Sequence, residues 1–268
     1  MANRLISLAA GTLRTVEPGE MIVAAARAGF DAVGFGFEHR QLTPRELVGL
    51  SRRLEDESIS VIDIEVVRIA PNDDNEAARR LIDYGAALGA RHLLVVSNDD
   101  DEERTADRFA EICAMASEVG IRPVLEFMAF TSVTSLASAV RIVERSGAAE
   151  GGVLIDSLHL ARCGDSAKDI ASFRQDLFPY AQICDAPARA PSTRELLADE
   201  ARHNRLEPGD GDLALAELLF ALSSATPLSI EVLSDSLDDL PPLARALSAM
   251  AAARALLESI GEITVFAR

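Results

Sequence analysis

The chain of 268 residues carries 26 basic against 43 acidic side chains, and the formal charge of −17 would repel a nucleic-acid backbone unless a local basic groove overrode it. Its length suits two average domains or one barrel of eight strand–helix units, and a content of 49% hydrophobic and only 4% aromatic residues, with no Trp, points to an aliphatic core. The apolar run at the N-terminus is too short for a signal peptide, no stretch reaches about 18 uninterrupted apolar residues, and Cys113, Cys163 and Cys184 are too scattered for a disulfide framework or a thiolate zinc site. A cytoplasmic protein that meets neither membrane nor nucleic acid is expected.

In chain order, apolar strand-like runs fall at 5–13, 32–37, 60–69, 92–97, 123–127, 152–155, 181–184 and 228–233. Amphipathic helical segments lie between them at 20–28, 43–56, 75–88, 102–118, 135–145 and 213–223, and 240–257 closes the chain. Gly29, Gly89 and Gly120 follow helices at positions where a left-handed cap is cheap only for glycine. Eight such units read as a closed parallel (β/α)8 barrel, a TIM barrel, spanning 1–268 as one domain. No G-x-G-x-x-G follows the first strand, so an open dinucleotide-binding sheet loses its main support. One long irregular stretch, 187–211, follows the seventh strand, and loops of that length are usually functional or mobile.

In a barrel of this kind chemistry sits where strands end and loops begin on the C-terminal face. Glu126 stands inside the apolar fifth strand, where an unpaired carboxylate is costly and calls for a cation. Asp156 ends the sixth strand with His159 three residues later; Gln182 lies in the seventh, with Asp185 at its exit; Glu231 is embedded in the eighth as Glu126 is in the fifth. Taken singly, a strand glutamate more often faces outward toward a helix arginine. Four successive strands that each bring one oxygen-bearing side chain favour a shared hard divalent cation. His159 alone is equally a core histidine, and Asp185 more often caps the following loop than binds metal. On the third strand, Glu65 and Arg68 either read the far end of a polar or anionic substrate or form an internal salt bridge.

The stretches Leu-Glu-Phe around Glu126, Ile-Asp-Ser-Leu-His ending at His159, Gln-Ile-Cys-Asp from Gln182, Asn-Arg-Leu-Glu-Pro-Gly-Asp-Gly from Asn204, and Ile-Glu-Val around Glu231 resemble the xylose isomerase-like superfamily of sugar isomerases and epimerases. That superfamily also includes endonuclease IV, hydroxypyruvate isomerases, inosose dehydratases and dehydroshikimate dehydratases, and the resemblance runs from Ile6 to the last helix. It implies that Glu126, Asp156, Gln182 and Glu231 are metal ligands, with Gln182 where epimerases have His. It further implies that His159 and Arg205 contact substrate, and that Pro208-Gly209-Asp210-Gly211 is the family's strand-to-helix turn. The sequence departs from many relatives in an insertion at 189–203 and in having no Trp to stack on a sugar ring. Its four histidines cannot assemble the three-metal site of endonuclease IV.

An all-oxygen site favours Mg2+ or Mn2+, with Zn2+ or Co2+ acceptable. What the resemblance implies is an isomerase or epimerase acting on a polyol, sugar or keto acid through an enediolate. Glu126 and Glu231 would exchange the proton, and His159 and Arg205 would hold the charged oxygen. A lyase of the inosose or 3-dehydroshikimate dehydratase type and a catalytically silent metabolite-binding barrel are the alternatives. The family leaves room for a homodimer or a homotetramer.

Overall fold

Strands rich in Ile, Val and Leu alternate with helices that are apolar on one side only, a pattern that buries both faces of a parallel sheet when the helices wrap around it. The computed structural model describes residues 4–72 and 74–262; residues 1–3, 73 and 263–268 of the expected span lie outside the described residues. The strands β1 (Ile6–Leu8), β2 (Ala32–Gly36), β3 (Ser60–Ile69), β4 (Ala90–Ser97), β5 (Arg122–Glu126), β6 (Gly152–Asp156), β7 (Ala181–Ile183) and β8 (Leu228–Ile230) pair in sequence order, all parallel. The ring closes where Ser7 of β1 faces Ser229 of β8. The (β/α)8 barrel expected from the alternation is the observed architecture.

Around it run α1 (Pro18–Ala28), α2 (Pro44–Glu57), α3 (Glu76–Leu88), α4 (Glu102–Ser117), α5 (Leu136–Ser146), α6 (Ser157–Arg162), α7 (Ala167–Ala171), α8 (Arg194–His203), α9 (Leu215–Ala221) and α10 (Pro242–Ser259). Local chemistry sets several boundaries. Thr43 and Glu46 close a reciprocal capping box at the start of α2, and Gly29 and Gly89 stop α1 and α3 in the left-handed conformation at φ 87° and 70°. The main core lies between strands and helices, and a smaller one, including Ile62, Leu94, Val124, Leu154 and Tyr180, forms a second cluster. Among the described residues, no helix is long and apolar enough to cross a membrane.

Two expectations need correction. The apolar runs at 5–13 and 228–233 are strand only over Ile6–Leu8 and Leu228–Ile230. After Leu8 the chain enters a 3-10 turn, Ala10–Leu13, where the Thr12 hydroxyl donates to the Ile230 carbonyl (2.8 Å) and accepts from the Val232 N–H (2.9 Å). That pair of bonds replaces the next rungs of the ladder. The stretch 187–211 is not irregular throughout, because it contains α8, capped by Thr193. A buried Arg162–Glu200 pair at 2.7 Å ties α8 to α6, and Arg194 donates to the Phe130 carbonyl at 2.9 Å.

Asp185 organises the return from α8 to α9. Its carboxylate accepts from the N–H groups of Ala186 (2.8 Å), Gly209 (3.0 Å) and Leu213 (3.0 Å), which is the capping role and not a ligand role. Gly211 lies so close that an added Cβ would come within 2.4 Å of the Asp185 carboxylate and 2.5 Å of the Ala186 carbonyl. Backbone cannot yield there as a flexible side chain could. Gly211→Ala should therefore cost about 2–3 kcal/mol in urea unfolding, the range of an overpacked core site. An unchanged denaturation midpoint would show that the turn is not held as described.

Candidate active site at the barrel mouth

Strand alternation sends every second side chain inward, and at the C-terminal rim those side chains are acidic. Glu126 closes β5, Asp156 closes β6, Gln182 is central in β7, and Glu231 follows β8 directly; each is at most 6% exposed. They converge at one cavity of about 510 Å³, lined among others by Glu65, Glu126, His159, Gln182, Arg205 and Glu231. Asp156 lies fully buried beneath Arg205.

One guanidinium ties this cluster together. Arg205 Nη1 is 2.7 Å from Asp156 Oδ2 and 3.0 Å from Glu231 Oε2, and its Nε donates to the Ala201 carbonyl at 2.8 Å. Arg205 Nη2 is 3.4 Å from His159 Nε2. The Gln182 amide approaches Glu231 Oε1 at 3.4 Å, and His159 Nε2 lies 3.9 Å from Glu126 Oε1. Asp156 Oδ1 also accepts from the His159 N–H (2.9 Å), so the carboxylate that ends β6 starts α6 and aims the imidazole back at the cavity.

Burial would push every one of these carboxyls up, and their neighbours decide how far. Burial raises Asp156, but Arg205 and His159 hold it below the usual carboxylate range. Burial, then Asp156 and Glu231, drives Glu126 well above that range. Glu65 rises in the same way through burial and the facing Glu231, Asp63 and Glu126. Glu231 is pushed up by burial, which Arg205 partly offsets, to about 7. Burial lowers His159 to about 4, so its ring is neutral at physiological pH and free to accept at one nitrogen.

The residues present fit a bound cation. Single ligand atoms of Glu126, Asp156 and His159 all lie within 4.8 Å of one another. Gln182 Oε1 and Glu65 Oε1 are buried without a hydrogen-bond partner. With one guanidinium among four carboxyls, the donor set has oxygen ligands to spare and suggests divalent-metal binding.

Other residues fall differently from expectation. Glu65 sits in the cavity, but Arg68 does not pair with it: Arg68 Nε donates to Glu38 Oε1 at 2.6 Å, half-exposed at the rim, so the internal salt bridge does not form. Arg205, expected against substrate, spends its nearest contacts on Asp156 and Glu231. Sequence reasoning missed Asp63, which is fully buried two residues before Glu65 with both oxygens lacking a hydrogen-bond partner of ordinary geometry. The two-residue spacing of acids along the apolar β3 was the available signal. Burial raises Asp63 to about 6, only partly offset by the neighbouring Tyr180 hydroxyl.

A family model described as a xylose isomerase-like TIM barrel matches residues 22–257. The chain is 28% identical to a 3-dehydroshikimate dehydratase of Pseudomonas aeruginosa over 256 residues, 86% of this chain and 38% of that protein. Among solved structures, a xylose isomerase-like TIM barrel/4-hydroxyphenylpyruvate dioxygenase fusion protein superposes with a TM-score of 0.83 at 23% identity, covering 97% of this chain and 44% of that one. The IolI protein with a bound zinc atom superposes with a TM-score of 0.84 at 16% identity, covering 95% and 98%. The chain thus spans less than half the length of the first two, and the two structural likenesses show the fold.

The raised Asp63 carboxyl gives a signed pH dependence. A carboxyl whose folded pKa exceeds its unfolded value binds its proton more tightly when folded, so its burial penalty is absent at low pH and is complete above about 6. Asp63→Asn should stabilise the metal-free protein at pH 8, and the gain should shrink at pH 5. Denaturant midpoints at the two pH values measure this; a gain that grows on acidification would contradict it.

Proposed function

Because the chain belongs to the family of xylose isomerase-like TIM barrels, we propose that it is a divalent-metal-dependent enzyme that removes a proton beside a ketone and releases a β-hydroxyl as water. It would thus be a dehydratase of hydroxy-keto compounds of the 3-dehydroshikimate type. The observation that carries this reading is the buried Arg205, locked between Asp156 and Glu231 and against the neutral His159, in a chain similar to a 3-dehydroshikimate dehydratase over most of its length.

Glu126, Asp156, Gln182 and Glu231 would hold the cation, with His159 near enough to contribute a nitrogen. Carboxylate and amide oxygens favour Mg2+ or Mn2+, and the nearby imidazole widens the range to Zn2+ or Co2+. When bound, such an ion supplies Lewis-acid polarisation of a carbonyl. The chain's own residues do the rest. One of Glu126 and Glu231 takes the α-proton, and the C–H electron pair delocalises onto the ketone oxygen. As that pair returns, the C–O bond to the β-hydroxyl breaks, and the other carboxyl supplies the proton that makes the leaving group water. Arg205 would present a fixed donor to the oxygen that gains charge, without rearranging, because it is buried and already hydrogen-bonded, and the buried His159 ring, which faces the cavity, would contact the same substrate oxygen. Glu65 and Arg68 would meet the more distant polar groups of the substrate.

A second reading, isomerisation or 3-epimerisation of a sugar, shares the first proton transfer and is favoured by the placement of Glu126 and Glu231 on separate strands, β5 and the end of β8. It differs in returning the proton to carbon. Incubating the Mn2+- or Mg2+-loaded protein with 3-dehydroshikimate should produce aromatic absorption from 3,4-dihydroxybenzoate, whereas ketoses in deuterated water should take up no label. Uptake of deuterium by ketoses without dehydration would overturn the order of the two readings.

Glu126→Gln and Glu231→Gln should each weaken metal binding and lower kcat/KM by about a thousandfold, the scale of losing a positioned acid or base. A barrel that only binds a metabolite would keep its ligand affinity in both variants.

A further inference from the structure

Five arginines reach the cavity: Arg14, Arg40, Arg68, Arg202 and Arg205. Four are committed to carboxylates. Arg14 is held by Asp235 and Asp238, Arg40 by Glu17 at 2.8 Å, Arg68 by Glu38, and Arg205 by Asp156 and Glu231. Arg202, on α8, has no carboxylate partner among the described residues.

Its side chain is nevertheless placed. The Arg202 Cζ rests 5.5 Å from the centroid of the Phe130 ring, and Phe130 in turn meets the His159 ring edge-on, with centroids 5.5 Å apart and planes at 72°. The Arg202 backbone carbonyl accepts from the Arg14 guanidinium, so this end of α8 is fastened to the barrel rim. A guanidinium held over an aromatic face by cation–π attraction gives up none of its N–H donors to the ring, so its fork stays available to a carboxylate. One cation–ring contact and one ring–ring contact therefore connect an uncommitted cationic fork to the histidine in the cavity.

Charge gives this placement its meaning. The inner cavity is lined by Glu65, Glu126 and Glu231, and the charge of Arg205 is already balanced there. An anionic substrate needs a separate cation for its acid group, far enough out that the reacting carbon still reaches the glutamates. We propose that Arg202, held over Phe130, receives the carboxylate of the substrate at the barrel mouth and selects hydroxy-keto acids over neutral polyols. This rests on reading the site as one that works on hydroxy ketones, and it assigns α8 the task of reading the acid group.

Isothermal titration on the metal-loaded full chain separates the two layers, with 3,4-dihydroxybenzoate and catechol as a pair of probes differing only in the carboxylate. Wild-type protein should prefer the acid by at least about tenfold, the scale of one charge-assisted hydrogen-bonded contact. Arg202→Gln should remove that preference by weakening the acid alone, and Arg202→Lys should restore part of it. A preference that survives Arg202→Gln, equal weakening of both probes, or a wild-type protein that shows no preference would each overturn the assignment. Wild-type turnover of neutral ketoses in the absence of any acid preference would remove this inference while leaving the hydroxy-ketone reading in place, whereas failure to turn over any hydroxy ketone would remove both.

Discussion

Carboxyls enclosed in a barrel mouth with too few cations to balance them set the terms for this molecule. Glu65, Glu126, Asp156 and Glu231 are each at most 6% exposed, and among the described residues Arg205 is the one guanidinium that touches two of them. In so apolar a setting an uncompensated charge is expensive, so each group must find a proton, a partner or an ion. Asp156 has found a partner, since Arg205 and the His159 N–H hold it ionised. Glu126 and Glu65 have not, and they are driven toward their protonated forms. The same imbalance leaves the Gln182 and Glu65 oxygens without hydrogen bonds. A divalent ion would relieve all of these at once.

The architecture supplies the convergence at little conformational cost. A closed parallel barrel points all its strand ends to one face, so residues far apart in the chain arrive at one rim by topology alone. Local chemistry then sharpens their aim. Asp156 is both the last residue of β6 and the cap of α6, and the Thr12 hydroxyl bonds the backbone on both sides of Glu231, at Ile230 and Val232. Behind Arg205, the Asp185 carboxylate gathers three backbone N–H groups and fixes the turn that returns the chain from α8. Next to the ligand cluster, Phe130 meets the His159 ring on one side and Arg202 of α8 on the other.

Much of this was legible in the sequence because it depends on local pattern. The run at 60–69 is β3 in full, and the glycines after α1 and α3 adopt the left-handed caps their positions required. Glu126, Asp156, Gln182 and Glu231 could be singled out because acids and an amide inside apolar strands conflict with burial unless something balances them. What was not legible depends on contacts between distant residues. Apolar content could not tell that β1 and β8 stop after three residues, since the cause is a hydroxyl of Thr12 bonding across the ring. The partner of Arg68 is Glu38, thirty positions away on a neighbouring loop, and not the nearby Glu65. The polar helix α8 buries only Glu200 and Ala201, too narrow an apolar stripe to signal a helix by periodicity. The role of Asp63 depends on burial against Tyr180, more than a hundred positions away in the chain, which the acid spacing along β3 does not convey.

Diffraction from crystals soaked in Mn2+, recorded with anomalous scattering, tests the central premise most directly. One strong peak per chain, within coordinating distance of Glu126, Asp156, Gln182 and Glu231, is the expected result. A mouth without a peak under saturating Mn2+, or a peak only on surface carboxylates, would mean that Arg205 and bound protons balance the buried acids on their own, and the metal-dependent chemistry would have no foundation.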